Sequence, residues 1–87
     1  MSIAIMSQVW KLQELSSTQK LVLLSLADNA NDGGECYPSI AQIEARTCLS
    51  ERAIRGAIRS LEAAGLVRSV ARAGTSAIYF LTIPDAL

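Results

Sequence analysis

The run from Ser50 to Gly65 carries its own start, its own stop and a single apolar stripe between them. That combination has one ready solution, an amphipathic helix. Ser50 is a strong N-cap residue, because its hydroxyl accepts a hydrogen bond from an early helical N–H. Glu51 places an acid at the positive end of the helix dipole. Ile54, Ile58 and Leu61 recur at i, i+4 and i+7, which gathers them on one buried face. Gly65 takes readily the left-handed conformation that closes a helix. The pattern predicts a helix over residues 50–64. Its other face presents Glu51, Arg52, Arg55, Gly56 and Arg59, and the spacing of Arg52, Arg55 and Arg59 reads as one row.

The rest of the chain arranges itself around this helix. Residues 1–15 show no clean helical period and read as an N-terminal extension. Within them Val9-Trp10-Lys11-Leu12 reads as a short extended piece with Trp10 as its packing anchor. Ser16-Ser17-Thr18-Gln19 is a capping box, in which cap and third residue each satisfy the other's backbone N–H. Leu21, Val22, Leu24, Leu26 and Ala27 follow at mostly helical spacing, and the turn formers of residues 28–34 end that helix. Glu35-Cys36-Tyr37 is a short extended segment. Pro38-Ser39 opens a further helix, with Ser39 as N-cap and Ile40 and Ile43 inward, which stops near Thr47-Cys48-Leu49. Beyond Gly65, residues 66–72 and 77–83 are β-rich, with Ala73-Gly74-Thr75-Ser76 as the hairpin loop between them. Ile78, Phe80 and Thr82 alternate with Tyr79, Leu81 and Ile83, so the second of these strands is expected to be covered on both faces. The expected class is α+β, mostly α: three helices plus a C-terminal β-hairpin in the order of a winged helix-turn-helix, as a single domain over residues 1–87.

Composition narrows the chemistry. A chain of 87 residues, half of them hydrophobic, has material for one core and little room for a deep substrate pocket. Eight basic and eight acidic residues cancel, which argues against a general polyanion binder. Their distribution is uneven. Between Arg46 and Arg72 six arginines face only Glu51 and Glu62, a local charge of +4, and the remainder carries −4. Arginine suits phosphate and guanine through its planar fork of donors. Two cysteines without any histidine cannot complete a zinc site, so no metal or cofactor is expected, and Cys36 and Cys48 read as buried free thiols. The N-terminus lacks the basic region and apolar run of a signal peptide, and no window reaches the roughly 20 apolar residues of a membrane span. The expectation is a cytoplasmic protein that is not an enzyme and has no small-molecule substrate. No histidine, Gly-rich phosphate loop or paired-carboxylate constellation is present, and Ser50 has no base to activate it.

The tight link containing Leu49 lets one helix brace the next against the core while its outer face stays open to a DNA major groove. On that reading Arg52 and Arg55 lie nearest base edges, guanine above all, and Arg59 reaches phosphate. Gly56 either lets backbone approach DNA or is only a weak point in the helix. Ser39, Thr47 and Ser50, at helix starts or in the turn, hold phosphates or simply cap. Arg72, Thr75 and Ser76 sit at the wing tip, within reach of DNA backbone or minor groove.

The run Gln19-Lys20-Leu21-Val22-Leu23-Leu24-Ser25-Leu26-Ala27-Asp28-Asn29-Ala30-Asn31-Asp32 resembles the first helix and acidic turn of a bacterial and phage winged helix-turn-helix family. So do Tyr37-Pro38-Ser39-Ile40, Arg46-Thr47-Cys48-Leu49-Ser50-Glu51-Arg52 and Leu61-Glu62-Ala63-Ala64-Gly65-Leu66-Val67. The resemblance covers residues 9–70. It departs at Cys48, where glycine is common, and at Glu44, where a small residue is common, so that either Glu44 pairs with an arginine or the helix is slightly rotated. The resemblance implies sequence-specific binding of double-stranded DNA, either by a phage or mobile-element transcriptional regulator or by the origin-binding N-terminal domain of a phage or plasmid replication initiator. Zero net charge and the apolar residues Ile3, Ile5 and Met6 leave a third reading open, a winged helix that contacts protein, and the same segment is a candidate homodimer contact.

Overall fold

The structure is a computed structural model and describes residues 3–83. Four helices and three strands follow in the order α1 (Ile3–Lys11), α2 (Ser17–Asn29), β1 (Glu35–Cys36), α3 (Ile40–Thr47), α4 (Glu51–Ala63), β2 (Val67–Arg72) and β3 (Thr75–Leu81). The sheet is antiparallel with β3 in the centre, β1 on one side and β2 on the other.

Local chemistry sets most of these boundaries. Ser16 and Gln19 form the expected capping box, at 3.1 Å in both directions. Ser39 and Gln42 form a second one at the start of α3. Ser50 Oγ accepts from the Ala53 N–H at the start of α4. At the other end of α4 the Leu66 N–H reaches the Leu61 carbonyl and the Gly65 N–H the Glu62 carbonyl, with Gly65 at φ 78°. This paired closure satisfies carbonyls a helix end would otherwise leave bare, and it sends the chain directly into β2. Gly34 is required for a different reason. A Cβ there would stand 2.9 Å from the Leu81 carbonyl oxygen, and the Gly34 carbonyl itself accepts from the Leu81 N–H. This close approach ties the turn after α2 to the end of β3.

The core is built around α2, in which Val22 to Ala27 are buried without interruption. A helix buried on so many sides needs neighbours on each. Val9 of α1, Ile43 of α3, Ile54, Ile58 and Leu61 of α4, and Cys36, Val67 and Tyr79 of the sheet supply them. Leu21, expected inward, is instead exposed, and Leu23 is buried in the same helix.

The largest correction falls at the N-terminus. Residues 3–11 are a helix, so there are four helices rather than three, and the segment is part of the domain rather than an extension. Val9 is fully buried and is the anchor, while Trp10 is 63% exposed. Trp10 has a different role: Lys20 donates from Nζ to its backbone carbonyl at 2.9 Å and lies over its ring. Ile3 is exposed, and Ile5 and Met6 pack partly against the core.

The hairpin differs in detail. Its loop is Ala73-Gly74, with Gly74 at φ 71°, and Thr75 and Ser76 belong to β3. β2 ends at Arg72 as expected, whereas β3 is shifted towards the loop and stops at Leu81 rather than Ile83. Its inward Tyr79 is buried. Its other face is only half-covered: Arg68 of β2 stacks over Phe80 at 4.5 Å, and at the loop end Arg72 of β2 lies 5.4 Å from the ring of Tyr37, which follows β1.

Of the two free thiols, Cys36 is buried as expected and Cys48 is exposed, which corrects the second expectation. A thiol reagent is therefore expected to modify one cysteine quickly in the native protein and the second only on unfolding, with mass spectrometry placing the fast label on Cys48. Burial pushes the Cys36 thiol from 9.0 up to about 11. Below pH 9 it is neutral in both folded and unfolded chains. Above that the unfolded chain releases its proton first, so this group's share of the stability is lost as pH rises from 9 to 11. Denaturant melts across that range check the sign.

Candidate nucleic-acid interface

Helices α3 and α4 meet through three residues, Cys48-Leu49-Ser50. The sharp turn is made by Cys48 in the left-handed region, at φ 60° and ψ 22°. Among the described residues it is the only non-glycine with positive φ. A side chain there is strained, since Cβ crowds the backbone in this conformation. This explains why glycine is the usual occupant of the turn in the family the sequence resembles. Leu49 packs partly against the core. Thr47 is buried, and its hydroxyl donates to the Ile43 carbonyl at 2.7 Å and accepts from the Leu49 N–H. That hydroxyl is occupied within the turn. Glu44 makes no ion pair among the described residues, so the first of its two readings, an arginine partner, is not met; its backbone carbonyl accepts from the Cys48 N–H.

The buried stripe of α4 gains one residue over the expected three, Ala57, alongside Ile54, Ile58 and Leu61. At about 3.6 residues per turn the side opposite this stripe carries Arg52, Gly56 and Arg59. Glu51, Arg55 and Glu62 fall on a second row, on the flank towards the wing. Arg52, Arg55 and Arg59 still lie within about 60° of one another on the outer side of the helix, with Arg55 at its edge towards the wing. Arg55 Nε donates to Glu51 Oε2 at 2.8 Å, and Arg55, Arg59 and Glu62 border a groove whose far wall is Ser69, Ala77 and Tyr79. Burial raises the Tyr79 hydroxyl above its ordinary value, with the nearby Arg55 charge acting in the opposite direction. Glu51, Arg52, Arg55 and Arg59 together line a shallow open depression of about 420 Å³. As an exposed i,i+4 pair, Glu51–Arg55 stabilises the free helix by only about 0.3–0.5 kcal/mol.

The other arginines of the basic stretch are engaged elsewhere. Arg46 is ion-paired to Asp28 and donates to Asn29 Oδ1 at 2.9 Å, which ties the end of α3 to the end of α2. Arg68 lies on Phe80. Arg72 lies on Tyr37 and donates from Nε to the Ser76 carbonyl. Arg52 and Arg59 make no ion pair or side-chain hydrogen bond among the described residues. The +4 of the sequence thus condenses to two unengaged guanidinium groups on the outermost ridge of α4. Gly56 lies between them, where an added Cβ would meet nothing within 4 Å.

The hydroxyls are placed unequally. Ser39 and Ser50 cap their helices from exposed or half-exposed positions, and Thr75 is exposed beside the hairpin loop. Tyr37 was not legible as a site residue. It is 56% exposed and supports the wing arginine from another element, a pairing that no sequence spacing announces.

The profile of a helix-turn-helix domain family matches residues 13–67, which contain α2, α3, their turn and α4. This chain belongs to the helix-turn-helix domain family. Among solved structures the domain is similar to BpsR of Bordetella bronchiseptica, a protein whose DNA binding is regulated by 6-hydroxynicotinic acid. The identity is 26% and the TM-score 0.62, over 91% of this chain and 54% of that one, so the domain spans about half of that protein's length. No curated protein sequence matches. With its three-stranded sheet closing on the hairpin beyond α4, the domain has the winged helix-turn-helix fold. No described helix is long and apolar enough to cross a membrane.

Proposed function

We propose that this domain binds double-stranded DNA with α4 in the major groove, and that it regulates transcription. The observation that carries this reading is the outer ridge of α4, where Arg52 and Arg59 stand unengaged on either side of Gly56. A helix whose outward side offers donor forks and a gap without a side chain fits the edges of base pairs and the phosphates beside them. Arg52, near the N-terminal end, takes a base edge, and Arg59 takes phosphate. Ser39 and Ser50 present helix N-termini to the backbone. Thr47 supports the turn. Arg72, held by Tyr37, addresses the flank of the site together with Thr75 and Ser76. The likeness to BpsR, a DNA-binding protein, supports the assignment. The domain works where DNA is, in the cytoplasm, and the role that fits best is a regulator of a phage or other mobile element. Origin binding for replication would use the same surface.

Two copies acting together fit this surface better than one. A single α4 covers one half-site, and exposed Ile3 and Trp10 on α1, with Leu21 on α2, offer an apolar contact for a second chain. One experiment addresses both points. Selection from a random duplex pool at fixed salt is expected to enrich a defined sequence, and for two copies an inverted repeat with half-sites about 10 base pairs apart or a multiple of that. A pool that emerges unenriched removes DNA reading by α4.

A further inference from the structure

Glu51 is an unusual neighbour for three arginines on a surface meant for DNA. Its carboxylate is exposed and repels phosphates, and a helix built only for affinity would do better without it. Its geometry is specific. The bond from Arg55 uses Nε and reaches only Oε2 of Glu51, at 2.8 Å. The terminal amino groups of the guanidinium stay available, and Glu51 Oε1 accepts no hydrogen bond among the described residues. Both side chains are more than half exposed and line the same depression as Arg52 and Arg59. The pair therefore presents, side by side, a double donor and a lone acceptor.

The major groove offers a matching arrangement of edges. Guanine offers two acceptors, O6 and N7, and cytosine offers an amino donor at N4. Building on the assignment of α4 to the major groove, we propose that Glu51 and Arg55 read as one unit: Arg55 donates to guanine while Glu51 accepts from the amino group of a neighbouring cytosine. Glu51 has a second effect on the same site. By pairing with Arg55 at Nε it biases that arginine away from phosphate, and its own charge repels phosphate, so specificity is gained at the expense of non-specific affinity. On this division Arg59 supplies affinity through phosphate, Arg52 reads its own base edge, and the Glu51–Arg55 row adds discrimination on the side facing the wing.

The test compares wild type, Glu51→Gln, Glu51→Ala and Arg55→Ala on the duplex that wild type enriches from a random pool. Each base pair of that duplex is changed in turn, and a random-sequence duplex is titrated over a salt series. Glu51→Gln and Glu51→Ala are expected to lose about five- to tenfold preference at one base pair and keep the others. Their affinity for the random duplex is expected to rise, with a salt slope steeper by about one phosphate contact. Arg55→Ala is expected to relax the adjacent guanine. Thermal melts matching wild type show the variants folded, as their exposure predicts. Glu51 variants that keep every base preference, or that weaken all sequences equally, overturn the proposal and leave Glu51 as a surface pair. Wild type enriching no sequence at all would remove the assignment of α4 itself, and the proposal with it.

Discussion

Val9→Asp is expected to abolish the folded state, whereas Trp10→Asp, one residue further on, is expected to leave stability nearly unchanged. Val9 has no accessible surface and packs with the α2 core, so a carboxylate there is buried without a partner. That costs several kcal/mol. Whole domains are stable by only about 5–15 kcal/mol, and a chain this short belongs at the low end of that range. Trp10 is largely in water; the substitution keeps the backbone carbonyl that accepts from Lys20 and gives up only the exposed contact of Lys20 with the ring, worth about 0.5–1 kcal/mol. Circular dichroism melts of the two variants measure the contrast. A Val9→Asp protein melting like wild type would show α1 to be a detachable extension after all.

The second large effect is on DNA. Arg52→Ala is expected to cost about 1–3 kcal/mol, or about 5- to 150-fold, against the selected sequence, and to relax preference at one base pair. Arg59→Ala is expected to weaken all sequences alike and to lower the salt slope by about one. Because the two positions are about 10 Å apart along the helix, the losses in the double variant should nearly add. Gly56→Ala sharpens the reading. Nothing lies within 4 Å of the new Cβ, so the helix should gain about 0.5–1 kcal/mol of stability. The same methyl group would meet DNA if the ridge enters the groove. A more stable protein that binds its site more weakly is therefore expected, measured by melting and by gel shift at one salt concentration. Arginine variants that bind like wild type would sink the assignment of α4.

The helix-turn-helix was legible because its signals are short-range. Ser16, Ser39 and Ser50 each cap a helix through an N–H three residues away, and Gly65 closes α4 through bonds spanning three and five residues. The stripe Ile54, Ile58 and Leu61 repeats within one helix. The first helix was missed although Ile5, Val9 and Leu12 stand at i, i+4 and i+7. Exposed Ile3 and Trp10 on its other side hide that period, because apolar residues on both faces leave no contrast to read.

The arginines mark the boundary between the two kinds of information. Sequence alone determined that positive charge is concentrated between Arg46 and Arg72 and that α4 carries Arg52, Arg55 and Arg59 opposite a buried stripe. Only the tertiary structure decided which of them are unengaged. Arg46 is taken by Asp28 and Asn29 at the end of α2, Arg72 by Tyr37 from the segment after β1, and Arg68 by Phe80 across the sheet. Helix caps and stripes are chosen by neighbours within a few residues, so they survive in the linear text. The partner of a long flexible side chain is chosen by whatever the fold brings near it. The outward ridge of Arg52, Gly56 and Arg59 could be recognised only once those other partners were in place.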